Sequence, residues 1–546
     1  MKKSIYLLAS IALLGLSSCE LDYEPYNSLP EGQVDMIPGS AENITIGNYS
    51  QLKNWVENWH RITEYPGDNV ALSGTTTDNL MYNYNYKRIV NNSRVNNYWA
   101  YSYRIIAGTN TVLARLSEGS SEANDQIIAE NLYIRSLIYF YLTNVFGKPY
   151  NQSPSTNLAV PLKLNDDPNE NLPRNTVQEV YAQILADLLK AENLFTNDSR
   201  DKIYASKEAV QALLARVYLY MGDNQKAIEY SDKVINSGRF SLIATDKYKD
   251  FAVTTPENNP ENIFSIKFLK DTDYPSNGWY TIGSMYANID GSGWGEMYAS
   301  RKYLELVRKY PEDVRYSLIK PVVVNENELH AYYVNDNYAY NSVVVTKNGD
   351  DYNYLDNGTT RTLTKRSNGA GAYQYFITIN GVEKSVLIDK KLDNRNGYLK
   401  YYILKCSGQE GQAQLWSPVI SRLSEMYLIR AEAYAKTGND AAALNDVNML
   451  RTRAGIPNAG LWTTSNLNGL SVLDVVMQER QLELAWEGHR KFDVYRNGLT
   501  MDRRYPGTHL SGTEPYYEIS PTANHIVEYI PEQQIILSNG VLVQNQ

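Results

Sequence analysis

Cysteine is almost missing from this chain. Its 546 residues include two, Cys19 and Cys406. No framework of disulfides can hold the fold, so a large apolar core must do it, and the chain is long enough to build one. An excess of basic residues is missing too. Lys plus Arg number 52 against 61 Asp plus Glu, a net charge of −9. A surface that neutralises nucleic-acid phosphates needs the opposite balance. Phenylalanine is scarce: 9 Phe and 8 Trp stand beside 46 Tyr. A chain in need of plain apolar filler would not choose phenols. So many tyrosines point to wet aromatic surfaces, where the ring packs and the hydroxyl meets water or ligand.

The familiar catalytic signatures are absent as well. The sequence has no P-loop, no dinucleotide glycine fingerprint and no Gly-x-Ser-x-Gly elbow. Its five histidines, His60, His330, His489, His509 and His525, never fall at i, i+4 spacing, so no helical zinc site is encoded locally. Cys406 sits in a strand-like stretch without a nearby histidine and reads as a buried, inert thiol. The Asp-rich loops at 165–170 and 350–356 lack the glycine and distal glutamate of a full calcium loop, so no cofactor is expected. Paired carboxylates of the glycosidase kind leave no trace in spacing and stay open at this level.

What is present begins at the N-terminus. Lys2 and Lys3 precede an apolar run from Ile5 to Leu16, then Ser17-Ser18-Cys19. Charge, apolar stretch and small residues together read as a secretory leader over 1–18, too short to persist as a membrane span. Leu16-Ser17-Ser18-Cys19 resembles a bacterial lipobox, which implies a lipid on Cys19 and an anchored rather than spanning protein. Loss of Lys2 and Lys3 with the leader takes the net charge from −9 to −11. The polar, proline-bearing stretch 19–40 reads as a tether.

Helical grammar follows over 41–320. Thr176 and Glu179 form a capping box, and Val177, Val180, Tyr181, Ile184, Leu188, Ala191 and Phe195 make one helical stripe. Ala215, Tyr218, Gly222 and Ala227 share their spacing with Ala431, Tyr434, Gly438 and Ala443. Small residues for close helix approach, a glycine at the turn and a groove-filling tyrosine are tetratricopeptide-like. Residues 131–147 and 472–498 are further candidate units. Between them, over 321–415, short alternating runs and the turns Asn357-Gly358 and Asn380-Gly381 predict a β- and loop-rich insertion. Helical pattern resumes over 416–546. The expected fold is therefore mainly α, a tetratricopeptide-like scaffold carrying a β-rich insertion.

In 479–498, Glu479, Arg480, Glu483, Glu487, Arg490, Asp493 and Arg496 interleave with Leu482, Leu484, Trp486, Phe492 and Val494. Their spacing fits a salt-bridged helix pair better than an active site. The same order resembles the SusD/RagB family of surface lipoproteins. Other stretches fit it too: Tyr98-Trp99 with Tyr103 and Asn110, Arg135 through Phe146-Gly147 (with Ser136 where the family has Ala), 172–176, 426–455, and Ile530-Pro531-Glu532. The resemblance implies a SusD-like α/α fold without enzymatic activity. It also implies an outer-membrane position facing the cell surface, and a SusC-like TonB-dependent transporter as partner for nutrient uptake.

Two aromatic clusters are candidate ligand sites. One is Asn79, Tyr82, Tyr84, Tyr86 and Arg88, beside Asp78, whose tyrosines share a face if the segment is extended. The other is Trp279, Tyr280, Tyr286, Asn288, Asp290, Trp294 and Tyr298, with Gly291, Gly293 and Gly295 to bend the loop. A third, Tyr332 to Tyr354, is tyrosine-rich as well. Sugars stack their C–H faces on such rings and hydrogen-bond to nearby amides and charges. Four functional readings stay open: glycan capture for a transporter, peptide capture by the same architecture, a surface glycosidase, and a scaffold that docks another protein.

Overall fold

The computed structural model describes residues 39–546 other than 75, 168, 197–199, 369–370 and 512–514. The leader, Cys19 and nearly all of the tether lie outside the described residues. Among the described residues, eight helices precede the large sheet: α1 (Ser40–Glu64), α2 (Leu80–Tyr84), α3 (Ser93–Arg115), α4 (Glu122–Phe146), α5 (Val177–Leu194), α6 (Lys207–Met221), α7 (Asn224–Ile235) and α8 (Arg301–Val307). Five follow it: α9 (Leu423–Lys436), α10 (Asp440–Arg453), α11 (Val472–Glu483), α12 (Arg490–Arg496) and α13 (Glu532–Leu537).

Local chemistry sets the helix ends. At α5 the Glu179 amide donates to Thr176 Oγ1 at 3.2 Å, and the Thr176 amide donates to Glu179 Oε2 at 2.8 Å. Such a cap is worth ~1 kcal/mol. The predicted stripe of α5, from Val177 to Ala191, is buried. Chain reversal after α6 and α9 falls at Gly222 and Gly438, and the four alanines at 215, 227, 431 and 443 are fully buried between the paired helices. The segment 131–147 is not a helix–turn–helix unit. It lies within the unbroken helix α4, which pairs with α5, because no turn residue interrupts it before Gly147.

Units distant in sequence stack directly: α7 packs on α9, and α9 on α6 and α11. Buried polar pins reinforce this. Arg216 of α6 meets Glu425 of α9 at 2.6 Å. Glu64, at the end of α1, accepts the amides of Trp486 and Gly488 at 3.1 and 2.9 Å. Asp68 pairs with Arg490 at 2.7 Å. The main core lies between these helices. Its centre holds Trp55 and Trp59, stacked with ring centroids 5.5 Å apart and both buried.

Strands form the rest. β1 (Val70–Leu72), β2 (Asn262–Ser265), β3 (Met297–Ala299) and β4 (Ile319–Pro321) precede the large sheet, and β12 (Tyr401–Ile403) and β13 (Val419–Arg422) follow it. The order β1-β3-β12-β4 makes a small sheet that shares a core with Tyr65, with Tyr303, Leu304 and Val307 of α8, and with Trp486. The large sheet comprises β5 (Val323–Val334), β6 (Tyr340–Asn348), β7 (Asp351–Asp356), β8 (Thr359–Thr362), β9 (Thr364–Ser367), β10 (Tyr373–Ile379) and β11 (Val382–Leu392). Its order is β8-β7-β6-β5-β11-β10-β9, antiparallel throughout. Both predicted Asn-Gly turns are present. Asn357 and Gly358 take φ of 49° and 81°, and Asn380 and Gly381 take 51° and 77°, the paired positive values of a type I′ hairpin.

This sheet curls until its two ends meet. Tyr352 of β7 and Tyr375 of β10 stand with ring centroids 5.0 Å apart, and Lys365 of β9 pairs with Asp351 of β7 at 2.7 Å. The curl encloses its own core of Ala331, Tyr333, Val345, Tyr354, Ile377 and Val386. Cys406 is buried as expected, but in a turn beyond β12 rather than in a strand. Burial pushes its thiol well above the usual range, which leaves it unreactive. Among the described residues no helix is long and apolar enough to cross a membrane.

Candidate functional site

Helices α1 and α3 lie side by side, and each turns one polar face outward. On α1 that face carries Lys53, Asn54, Glu57 and Asn58. On α3 it carries Arg94, Asn97 and Tyr101, one and two turns apart. Asn92 fixes the start of α3 by accepting the amides of Arg94 and Val95. Opposite stand Phe268, Thr272 and Asp273, then Tyr280, Thr281 and Ile282, with Gln414, Leu415 and Trp416 between the two sides. Together they enclose a cleft of about 360 Å³, within the range of small-ligand sites.

Charge in the cleft is paired. Lys53 meets Asp273 at 2.6 Å, and Arg94 lies 3.4 Å from Glu57 and 2.5 Å from Asp78. Arg61 takes Glu57 from the other side at 2.7 Å. Burial alone would raise the Asp78 carboxyl; the hydrogen bonds from Arg94 and the Leu80 amide outweigh it and hold the group below its ordinary value. Behind the cleft, His60 Nε2 lies 2.7 Å from the Tyr286 hydroxyl. Burial, then the Arg61 charge, pushes its imidazole down to about 3, so it stays neutral at physiological pH. Both carboxylates that line the cleft, Glu57 and Asp273, already serve as ion-pair partners. The site offers rings, amides and balanced charges, which suits a polar, uncharged ligand.

The loop beside Tyr280 is firmly built. Asp290 and Gly291 turn it, with Ile289 and Ser292 exchanging amide–carbonyl bonds of 2.8 and 2.9 Å. Asn288 Nδ2 donates to the Gly293 carbonyl at 2.7 Å. Gln414 Nε2 donates to the carbonyls of Ala287 and Ser292, both at 2.9 Å. Gly293 has φ of 94°, and a Cβ there would sit 2.3 Å from the Ala287 carbonyl oxygen and 2.4 Å from Gln414 Nε2. Only glycine fits. Its conformation closes the loop instead of leaving it to bend. Trp294 is 51% exposed. Its Nε1 donates to the Trp279 carbonyl at 3.0 Å, and the two indoles meet edge to face at 4.9 Å. Tyr280 is 66% exposed and lines the cleft.

The predicted clusters therefore divide. From the second, Tyr280 reaches the cleft, Trp279 and Trp294 form an aromatic pair next to it, and Asn288 and Asp290 shape the loop. Tyr286 and Tyr298 are buried in the core and present no ring to a ligand. The first cluster does not form the face expected of it. Residues 80–84 are the short helix α2, not a strand, so the alternation of its tyrosines has no meaning. Tyr84 is buried, accepting the Leu72 amide and lying 2.7 Å from His509 Nδ1. Tyr86 is buried against Tyr495 and donates to the Pro66 carbonyl. Tyr82 is half-buried, and Asn79 Nδ2 donates to Ser93 Oγ. Arg88 donates to the carbonyls of Val527 and Gln546 and stacks on Tyr529. Of the third stretch, Tyr332, Tyr333 and Tyr354 are buried. Sequence reasoning missed the residues from α1, α3 and 414–416. Their one signal was the polar stripe Lys53, Asn54, Glu57, Asn58 at helical spacing.

Comparison with known proteins agrees with this architecture. A family profile described as starch-binding, associating with the outer membrane, matches residues 21–219, and one described as the SusD family matches residues 260–545. SusD-like protein P38 of Formosa agariphila is 25% identical, over 92% of this chain and 94% of its own. The starch-binding protein SusD of Bacteroides thetaiotaomicron is 25% identical, over 72% of this chain and 69% of its own. A SusD superfamily crystal structure from Bacteroides thetaiotaomicron superimposes with a TM-score of 0.70 at 24% identity, covering 93% of this chain and 99% of that one.

Proposed function

Since the chain belongs to the SusD family, we propose that it captures a nutrient oligosaccharide at the outer membrane and passes it to a SusC-like TonB-dependent transporter. Lipidation at Cys19 would anchor it facing outward. The observation that carries the reading is the cleft between α1, α3 and residues 268–282. Its exposed Tyr280 and half-buried Tyr101 offer flat faces. Asn54, Asn58 and Asn97 supply amide donors and acceptors at a ring's edge. Trp279 and Trp294 extend the aromatic surface beside it. A sugar needs that combination: apolar C–H faces and a girdle of hydroxyls. The matched charges favour a neutral glycan, because no ion is left to demand a counter-charge. The SusD relative that binds starch makes an α-glucan the first ligand to try.

Calorimetric titration of the full chain in detergent with maltoheptaose and other neutral oligosaccharides tests this, with each mixture examined afterwards for cleavage. Heat with intact glycan supports capture. Cleaved glycan would replace it with a glycosidase, and heat from a peptide pool alone would replace the ligand class. Co-purification with the transporter tests the delivery step.

A further inference from the structure

A second groove lies where the curled sheet meets the segment after α8. One part, about 470 Å³, runs along Tyr352, Tyr373 and Tyr375 of the sheet and faces Tyr310 and Tyr316. The next part, about 460 Å³, continues past Tyr310 and Gln374 to Trp462. The two parts share Tyr310 and Gln374, and neither shares a lining residue with the cleft.

Its walls are fixed. The Tyr375 hydroxyl donates to the Asp350 carbonyl at 2.8 Å. Trp462 exchanges two hydrogen bonds with the Asn448 side chain, at 2.8 and 2.9 Å. Asn466 and Asn468 bring amide groups to the same wall. Tyr373, at 38% exposure, leaves part of its ring open.

The charges distinguish this groove from the cleft. Nearby cations are engaged: Arg308 by Asp389, Lys365 by Asp351, Arg366 by Glu383, Arg451 by Glu479. Lys309 is not. Its ammonium lies 5.3 Å from the Trp462 ring and 5.9 Å from Tyr310, with Arg451 over the same two rings. Among the described residues no carboxylate comes within ion-pair distance of it. Burial and the neighbouring guanidinium lower its affinity for a proton. A half-buried cation crowded by another cation is an electrostatic debit that an incoming anion would cancel.

We propose that this groove is a second carbohydrate site, and that it takes an acidic oligosaccharide whose carboxylate or sulfate pairs with Lys309 while its sugar rings lie on the exposed Tyr373 and the half-buried Tyr375. The proposal extends the capture reading but does not depend on the cleft. One protein would then sample neutral and charged glycans at separate sites.

The test uses the full chain in detergent with three probes: oligogalacturonate, a sulfated galactan oligomer and neutral maltoheptaose. The cleft is disabled by Tyr280→Ala with Trp294→Ala. In that background one acidic probe should still bind, and Lys309→Gln should weaken it ~10-fold or more. Lys309→Arg should retain most of the affinity, which separates charge from fold. Binding should weaken as salt rises from about 0.1 M to about 1 M. Preference between the two acidic probes tells uronate from sulfate. The proposal is overturned if neither acidic probe binds the cleft-disabled chain, or if Lys309→Gln leaves the affinity unchanged. Loss of maltoheptaose binding in the same background reads out the cleft separately.

Discussion

Glu483→Gln removes one charge from a large, deeply buried electrostatic assembly. Arg315, Arg422, Arg451, Arg453 and Lys405 face Asp313, Glu261, Glu479, Glu483 and Glu487 in one connected set, none more than 5% exposed at the side chain. The set is electrically neutral. Glu483 is its hub: Oε1 accepts from Arg422 at 2.8 Å and Arg453 at 2.5 Å, and Oε2 lies 3.4 Å from Arg315. Burial alone would raise this carboxyl. The Arg453, Arg422 and Arg315 guanidiniums outweigh it and hold the group well below the usual carboxylate range. A glutamine keeps the shape and both hydrogen bonds at one oxygen. It does not keep the charge, and the assembly then carries one uncompensated cation in a dry interior. Breaking a buried pair in this way costs about 3–5 kcal/mol, a large part of a total stability of about 5–15 kcal/mol. Urea unfolding followed by circular dichroism should show that loss as a lower midpoint at unchanged slope. The exposed pair Arg504–Glu518, at 3.1 Å with side chains 44% and 54% exposed, is the control. Glu518→Gln should change stability by less than about 1 kcal/mol. If Glu483→Gln cost no more than that control, the assembly would not clamp the fold and the argument would fail. The pH dependence has a definite sign. A depressed carboxylate adds stability above its unfolded value, about 4.3, and that contribution is lost as pH falls through the folded value. Acid unfolding of the variant should therefore be shallower than that of the parent.

Other expectations follow from the site and its supports. Tyr280→Ala and Trp294→Ala, both at exposed rings, should each weaken glycan binding ~10-fold, about 1.4 kcal/mol of stacking, with unchanged thermal midpoints; full affinity in both would place the ligand elsewhere. Gly293→Ala drives a Cβ to 2.3 Å from a carbonyl oxygen at φ 94°, a strain of about 1–3 kcal/mol that should disturb Trp294 fluorescence and glycan affinity together. Glu64 is buried, and burial raises its carboxyl to about 7 despite the Gly488 and Trp486 amides. Its contribution to stability is present below the unfolded value and lost as pH rises through 7. Glu64→Gln should flatten the fall in stability between about pH 4.5 and 7.5, measured by urea unfolding across that range.

Much of the scaffold was legible in the sequence because its causes are local. A capping box, an alanine pair at helical spacing and an Asn-Gly turn each specify their element through neighbours a few residues away. The ion-paired reading of 479–498 was legible too, since alternating acids and arginines among apolar residues leave few other uses. The candidate cleft was read only in part. Tyr280, Trp279 and Trp294 stood out as aromatics in a glycine-bearing loop. Lys53, Asn58, Arg94 and Trp416 come from three remote segments, and no spacing links them. The Tyr82–Tyr86 run misled for a physical reason. Alternation has meaning only in a strand, and Asp78, whose Oδ1 accepts the Leu80 amide at 2.9 Å, starts a helical turn instead.

The division between signature and site has a mechanical basis. A cleft assembled from residues 53–58, 94–101, 268–282 and 414–416 keeps its shape only if those four segments cannot drift apart. The buried assembly around Glu483 supplies that restraint. Arg422 ends β13 a few residues beyond Trp416 and is held by Glu261, Glu483 and Glu487 at 2.8–2.9 Å. Glu261 precedes β2, which leads into the Phe268 wall. Glu64 closes α1, the wall bearing Lys53 and Glu57, onto the amides of the same 479–498 segment. Three of the four segments thus trace back to one rigid hub, and the fourth, on α3, is tied to α1 by Arg94 and Glu57 at 3.4 Å. A preformed cleft spends little ordering entropy on binding, so the rings around it are free to differ in chemistry without loosening the frame. The segment that carries the family resemblance therefore fixes the frame of the cleft, and the loops that lack any signature supply the rings and amides that line it.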